Sequence, residues 1–486
     1  MAPTAIGVDI GGTHLRAARV AADGSILARA RMKSAADPEA VLAGIMALIT
    51  EVTAPDVAAI GIGVPGAVDF PARKVLWGGY VNLSGIALAD RIESAFSLLV
   101  VIDNDCTMAL IAEAAIGAAR GASSALMLTI GTGIGGAILE QGRVVRGRAT
   151  AGQLGHVTID PLGEPCVCGR IGCVETTSSG TALGRHIARA GLPAGTTADQ
   201  LLAARATGDA AATAILAAWA APLRTATNTL GVAFDPQIII LGGGLGGAAV
   251  AALAEIPQSP AWFTTTIAAA TLGDDAGIIG AAFAALNAAP KPKRAVLVNG
   301  IPASGKSAVA LALSRATGWP VLALDTIKNP FLHHLGGADR VGNRTLGRAS
   351  YQAIFATLRD APPGTTTIID AWFGFEPLEV LETHLATAGI TETAEIWCHA
   401  PAEILAERYG SRLGARLPGH PGADYIPELM ALAARATPIG RGPLRDVDTT
   451  KPTDTAVLVE WLTRLWGRSQ DSKTPGLPAQ NRAFSV

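Results

Sequence analysis

Residues 151–175 read AGQLGHVTIDPLGEPCVCGRIGCVE and hold three of the five cysteines in the 486-residue chain. Cys166, Cys168 and Cys173 follow His156 closely, with Gly169 and Gly172 between them to permit tight turns. Three thiolates and one imidazole suit tetrahedral Zn2+. Four protein ligands close the coordination shell, so this zinc would be structural rather than hydrolytic. The plainer alternative is a group of free thiols around a turn, beside an unrelated histidine.

Three glycine-rich turns follow strand-like runs: Asp9-Ile10-Gly11-Gly12-Thr13, Gly131-Thr132-Gly133, and Gly242-Gly243-Gly244. Glycine lets backbone N–H groups come close to phosphate oxygens, and the threonine hydroxyls can donate as well. One such turn alone often does no more than reverse the chain; three in the same context point to a nucleotide. A carboxylate does not bind phosphate directly, so Asp9 is placed to hold Mg2+ through water. Asn104-Asp105 ends the run LLVVIDND, where ligands bind in open α/β sheets. Asp105 can accept the proton of a hydroxyl attacking a phosphate, or it can cap the helix that follows.

A second set lies further on. Gly300-Ile-Pro-Ala-Ser304-Gly305-Lys306-Ser307 is a full GxxxxGK[ST] P-loop between a strand-like and a helix-like run. Lys306 would reach the β- and γ-phosphates of ATP and Ser307 would ligate Mg2+. Asp325 closes the run PVLALD, where it resembles the acidic residue that small-molecule P-loop kinases aim at the acceptor hydroxyl; Asp370 closes TTTIID, where it would serve the magnesium as a Walker B acid does. Both also read as strand-end caps. Arg408, Arg412 and Arg416 recur every four residues, on one face if the segment is helical. They suit a lid over ATP or a solvated basic face. His420, in PGHPG, suits a substrate contact or a turn.

The elements that must position these residues alternate buried strand-like runs (AIGVDIGGT, VAAIGIGVPG, LLVVIDND, SALMLTIGTGIGGAILE, PQIIILGGGLG) with longer helical stretches, an α/β pattern. LNAAPKPKRA interrupts it, and the pattern restarts with RAVLVNG. The expected domains are 1–288, a linker at 289–294, an α/β domain at 295–470 and a disordered tail at 471–486. Hydrophobic residues make up 49%, charged residues 16%, and the net charge is -2. That balance favours neither a polyanion nor a membrane surface as partner. No uninterrupted apolar run is long enough to cross a membrane, and no secretory leader is apparent at the N-terminus. The odd, clustered cysteines fit a reducing compartment. A cytoplasmic location follows as the expectation. Cys106 and Cys398 read as ordinary buried thiols.

With these residues in place, the N-terminal 288 residues closely resemble the ROK sugar kinases. The resemblance rests on DIGGT at 9–13, GVPG at 63–66, the Asn82 region, DND at 103–105 and GTGIGG at 131–136. It continues with GxxGH at 152–156, CxCGxxGCxE at 166–175, LGGG at 241–244 and GDDAGIIGAA at 273–282. It implies a two-lobed actin-like and hexokinase-like ATPase fold, with ATP and a hexose or amino sugar in the cleft. It also implies a homodimer. Asp105 would be the general base, usually toward O6. Gly66, Asn82, Asn104, Gln153, His156 and Glu175 would line the sugar site. Gly11, Gly12, Thr13, Gly131, Thr132 and Gly133 would cradle the phosphates, and Gly242, Gly243 and Gly244 would face adenosine. His156 would serve zinc and sugar together. Family kinases carry glutamate where this chain has Gln153, which places the choice of sugar, not catalysis, in question. ROK repressors carry an N-terminal helix-turn-helix. This sequence begins at the first phosphate loop, so no nucleic-acid partner is expected.

The C-terminal part resembles P-loop kinases of the AAA_33 and chloramphenicol-phosphotransferase type, on the P-loop and the Asp325–Asp370 pair. The resulting expectation is a bifunctional enzyme: an ATP-dependent sugar kinase fused to a P-loop NTPase-fold phosphotransferase acting on a small molecule. Two rivals stand beside it. One is a sugar-sensing regulator in which one nucleotide domain gates the other. The other makes the C-terminal domain an NTPase switch.

Overall fold

The first half of the chain builds one sheet plan twice. The computed structural model describes residues 3–79, 81–257 and 264–466; the expected tail and residues 467–470 lie outside them. The chain divides into two units, Met1–Ala289 and Pro290–Val486.

In the first unit, β1 (Thr4–Ile10), β2 (His14–Val20) and β3 (Ile26–Lys33) form an antiparallel meander. β4 (Val57–Val64) pairs parallel with β1. A small hairpin of β5 (Ala67–Asp69) and β6 (Lys74–Trp77) follows. β7 (Leu99–Asn104) then pairs parallel with β4, giving the order β3-β2-β1-β4-β7. The second sheet repeats this. β8 (Ala125–Ile130), β9 (Ile134–Glu140) and β10 (Arg143–Val144) are antiparallel, and β11 (Ile238–Gly242) and β12 (Ile267–Ala269) add in parallel. Its order is β10-β9-β8-β11-β12. The run SALMLTIGTGIGGAILE, expected as one strand ending in a turn, is the β8–β9 hairpin with Gly131–Gly133 at its tip.

Each sheet has its own apolar core. Ile6, Val8, Ile45, Ile49, Ile60 and Ile62 pack in the first, and Leu128, Leu216, Trp219, Leu223 and Leu241 in the second. Between the sheets run the helices Asp105–Ile116 and Ala276–Ala288, which pack on each other and on β1, β4, β8 and β9. The approach is backbone to backbone. A Cβ on Gly7 would stand 1.8 Å from Ile278 O, one on Gly61 1.8 Å from Ala281 O, and one on Gly280 1.6 Å from Met108 O. Buried Glu113 fixes the same junction. Its carboxylate accepts from Ala118 N (2.7 Å), Thr271 N and Leu272 N (both 2.9 Å) and the Thr271 hydroxyl (3.1 Å).

The second unit is one parallel sheet, β14 (Val321–Ala323), β15 (Thr366–Asp370), β13 (Lys293–Asn299), β16 (Ile390–His399) and β17 (Leu444–Asp448), in that order. β13 begins inside the stretch read as linker. Val296, Val298, Ile396 and Cys398 face helices Lys306–Thr317 and Thr455–Trp466. On the other face, Ala295, Leu297 and Ile369 meet Tyr351, Ile354, Phe355 and Leu381. Central β13 has neighbours reached by crossovers on both sides, so the loop after it lies at a topological switch point, where ligands enter such sheets. Among the described residues, no helix is long and apolar enough to cross a membrane.

Candidate active site

Two turns occupy equivalent corners of the two sheets. Gly11–Thr13 joins β1 to β2, closed by Gly11 N donating to His14 O (3.0 Å). Gly131–Gly133 joins β8 to β9, with Gly131 N donating to Gly133 O (3.0 Å). Helix Gly180–Arg189 steadies the second turn, since Gly180 N reaches Gly131 O (2.7 Å) and Thr181 N and Oγ1 reach Thr132 O (3.2 and 2.8 Å). Gly243 (φ +74°) lies against the end of β8; a Cβ there would stand 2.6 Å from Ile130 O. Leu245 N also donates to Ile130 O (3.0 Å). The Gly242–Gly244 and Gly131–Gly133 turns therefore form one rim.

Asp105 opens the helix between the sheets. Cys106 N (2.9 Å) and Asn104 Nδ2 (2.9 Å) both donate to its Oδ1. Burial pushes its pKa up despite these bonds. Asp9, on β1, is pushed up to about 6, first by burial and then by the charge of Asp105. Two carboxylates that repel each other in a poorly solvated cleft fit a divalent cation. Asn104, expected among the sugar contacts, has its amide engaged. Oδ1 caps the helix at Cys106 N and Thr107 N (3.0 and 3.1 Å), and Nδ2 donates to Gly66 O (3.0 Å) as well as to Asp105. Gly66 holds φ +111°, and a Cβ there would meet Trp77 O at 2.1 Å. Asn82 is exposed; among the described residues its side chain accepts only from Ser84 N (3.1 Å) and is not joined to the others.

The cysteine stretch lies against the Gly131–Gly133 turn and the start of β9. His156 ends a short 3-10 turn, Leu154–His156. Its imidazole and the thiols of Cys166, Cys168 and Cys173 lie within 4.8 Å of one another. Cys168 and Cys173 Sγ are 3.6 Å apart, and Cys166 Sγ is 3.5 Å from His156 Nδ1. A tetrahedral ion with bonds of about 2.3 Å to sulfur sets such edges at roughly 3.5–3.8 Å, which these two distances match, so the donor set is compatible with zinc. Burial and the neighbouring thiols push the Cys173 pKa up to about 12. Glu175 bridges this stretch to the phosphate turn. Its Oε2 accepts from Ile134 N (2.8 Å) and its Oε1 lies 3.8 Å from Cys166 Sγ. The Gln153 side-chain amide makes no hydrogen bond among the described residues, only backbone turns through Thr150 O and His156 N.

Residues outside the expected set matter here. Asp103 is buried and pairs with Arg146, whose guanidinium covers the Phe70 ring. An ionisable residue inside an apolar strand, one step before Asn104-Asp105, was the available signal. Thr129 Oγ1 contacts Cys106 Sγ at 2.8 Å.

In the second unit the loop after β13 has Gly300, Ala303 and Gly305 at φ +156°, +67° and +86°. It leads into the helix that begins at Lys306. Ser304 Oγ and Asp370 Oδ1 are buried with no hydrogen-bond partner, and the Ser307 hydroxyl faces Asp370. A buried, unsatisfied carboxylate oxygen beside a serine hydroxyl fits Mg2+. Burial raises the pKa of Asp370 although Lys306 opposes it. Asp325 stands one residue into the helix Leu324–His334, not at the strand end, and pairs with Lys328 Nζ (3.0 Å). Burial pulls its pKa up, yet Lys328 and Lys306 hold it below the usual value. His420 Nε2 meets Asn329 Oδ1 at 2.9 Å.

The arginine lid is corrected in part. The helix Ala402–Gly410 stops before Arg412, so Arg408, Arg412 and Arg416 do not share a helix face. Arg408 reaches Thr449 Oγ1 (3.0 Å) and O (2.8 Å), and Thr449 in turn donates to Ser304 O (2.8 Å). Arg408 thus buttresses the loop from behind. Arg416 stacks on Tyr409 (3.9 Å), and Arg412 is exposed.

A duplicated sheet whose paired glycine turns flank a carboxylate on an interlobe helix defines a two-lobed nucleotide-binding α/β protein. Residues 5–288 match the ROK family, and the chain belongs to it. It is 31% identical over 306 residues to a glucokinase of Halalkalibacterium halodurans, covering 57% of this chain and 92% of that protein. It is also 31% identical over 304 residues to an N-acetylmannosamine kinase of Escherichia coli, covering 58% and 98%. The crystal structure of a ROK family glucokinase from Streptomyces griseus in complex with glucose and AMPPNP is similar with a TM-score of 0.52. Identity there is 30%, over 58% of this chain and 99% of that one.

Proposed function

We propose that the first unit transfers the γ-phosphoryl group of ATP to a hydroxyl, O6, of a hexose or amino sugar. The observation that carries this reading is Asp105: a half-buried carboxylate, its pKa raised by desolvation, at the N-terminus of the helix between two phosphate-type turns. Gly11–Thr13 and Gly131–Gly133 hold the triphosphate with backbone N–H groups, and Gly242–Gly244 borders adenosine. Asp105 takes the proton from the sugar hydroxyl as that oxygen attacks phosphorus. Desolvation raises its pKa above the ordinary carboxylate value, the direction that makes a carboxylate a stronger base. Asp9 would hold Mg2+, which neutralises charge building on the phosphoryl oxygens. Asn104 fixes Asp105 and the Gly66 loop; His156 and Glu175 bound the sugar pocket. His156, Cys166, Cys168 and Cys173 would hold zinc, which cross-links this loop. The glucokinase and N-acetylmannosamine kinase relatives support the substrate class, and Gln153 marks where this chain departs from the family's usual glutamate.

The second unit is read as a P-loop phosphotransferase. Lys306 and the amides of 300–305 bind phosphates, Ser307 and Asp370 would hold Mg2+, and Asp325, paired with Lys328, faces the acceptor. The test is ADP release with Mg-ATP across hexoses, N-acetylhexosamines, ketoses and polyols. Wild type is run beside Asp105→Asn and Lys306→Ala. The reading requires sugar-dependent release that Asp105→Asn abolishes and Lys306→Ala spares. Release that needs no acceptor and is lost only in Lys306→Ala would refute it and leave the first unit a sensor.

A further inference from the structure

Within the first unit, the segments proposed to hold the sugar come from both lobes, and one side chain spans them. Arg146 follows β10 of the second sheet. Its Nε donates to Asp103 Oδ2 at 2.8 Å, and its guanidinium lies 3.7 Å from the centroid of Phe70. Both partners belong to the first lobe: Asp103 sits on β7 opposite Gly63 of β4, and Phe70 follows β5. The Asp103 carboxylate is 4% exposed, and no second cation pairs with it among the described residues. Its other oxygen accepts from Asn104 N at 2.8 Å. The acid therefore touches the residue that orients Asp105 and the arginine of the opposite lobe at once.

Arg146 is also the head of a relay of turns. Its carbonyl accepts from Ala149 N and Ala151 N (3.0 and 3.3 Å). Gln153 N donates to Thr150 O, and His156 N to Gln153 O (3.1 Å). The position of Gln153 and His156 relative to Asp105 thus depends on where Arg146 is held. A buried carboxylate is unfavourable without a partner, and burial pushes the Asp103 pKa up even beside the arginine. Such a pair suits a device that sets geometry more than one that adds stability.

We propose that Asp103, Arg146 and Phe70 form a latch across the cleft, with Arg146 a positioning residue for sugar binding. The triphosphate turns lie outside the relay, so the effect falls on one substrate. This rests on the sugar-kinase reading above.

The test is steady-state ADP release with the sugar that drives wild-type turnover best, varied against saturating Mg-ATP, and then the reverse. Arg146→Gln raises the sugar KM at least tenfold and leaves the ATP KM within twofold. Arg146→Lys, which keeps the charge toward Asp103, recovers most of that loss. Asp103→Asn combined with Arg146→Gln is no worse than Arg146→Gln alone. A sugar KM within twofold of wild type, or equal rises for sugar and ATP, overturns the latch. If Arg146→Gln does not fold, Asp103→Asn carries the same comparison of the two KM values. A wild type that releases no ADP in response to any sugar overturns the kinase reading itself and the latch with it, a result distinct from variant failure.

Discussion

The proposed cation site makes a claim about stability that needs no turnover. Asp9 is raised from 3.8 to about 6, by burial first and by Asp105 second, with Arg16 opposing. A folded-state pKa above the unfolded value means the folded chain binds the proton more tightly. The ionised carboxylate therefore destabilises the fold above pH 6, and the penalty fades as pH falls toward 4. The shift is roughly two pKa units at 1.36 kcal/mol each; discounted for solvent in the cleft, it amounts to about 1–3 kcal/mol. Asp9→Asn removes the charge and keeps the shape. In buffer free of Mg2+ but with zinc retained, the variant is expected to be more stable than wild type by about 1–3 kcal/mol at pH 8. The gain should vanish by pH 4. Millimolar Mg2+ with ATP should stabilise the wild type more than the variant, the gain from the intact P-loop unit being common to both. Chemical unfolding at several pH values, followed by intrinsic fluorescence, measures all three. A variant less stable than wild type at pH 8, or a difference that ignores pH, would show that the carboxylates are not in conflict. The cation argument would then fail.

Other expectations follow from single contacts. Glu113→Gln places an amide N–H2 among three backbone donors and a hydroxyl, and should lower the unfolding free energy by about 2–3 kcal/mol in a denaturant titration. Gly280→Ala forces a methyl to 1.6 Å from Met108 O and should cost about 1–3 kcal/mol or more by the same measurement. Purified protein should contain about one zinc per chain by elemental analysis, and Cys173→Ser should lose it and melt at a lower temperature. Arg408→Ala should loosen the loop at 300–305 through Thr449; hydrogen exchange of that loop should rise, where a lid arginine would change only ATP turnover.

What the sequence made legible was chemistry carried by local pattern. GIPASGKS and the three glycine turns were readable because glycine patterns at the ends of strands are local, and the cysteine cluster was readable from its spacing alone. What it hid was pairing. β2 and β3 alternate apolar with arginine, HLRAARV and ILARARMK, and the arginines obscure the strands because their partners, Asp56, Asp274 and Asp275, lie far along the chain. Asp103 and Arg146 meet across 43 positions, and Glu113 reaches Thr271 across 158, at junctions that no local pattern marks. The arginine series at 408–416 misled for the opposite reason. Its spacing was helical, but the helix ends at Gly410, so periodicity described a segment that does not exist as one element.

The duplication of the sheet explains why the candidate site lies where it does. Each sheet offers one exposed glycine turn at the same corner of its meander, and neither alone surrounds a triphosphate. Setting the two sheets face to face across Asp105–Ile116 and Ala276–Ala288 brings both turns to one cleft. The close packing at Gly7, Gly61 and Gly280 fixes that relation at the backbone, where side-chain repacking cannot relax it. Asp105 opens one of those two helices, so the proposed base is carried by the axle, not by either lobe. Asp103 stands two residues before Asp105 and bonds Asn104 N and Arg146 at once, so the two sheets also meet directly beside the proposed base.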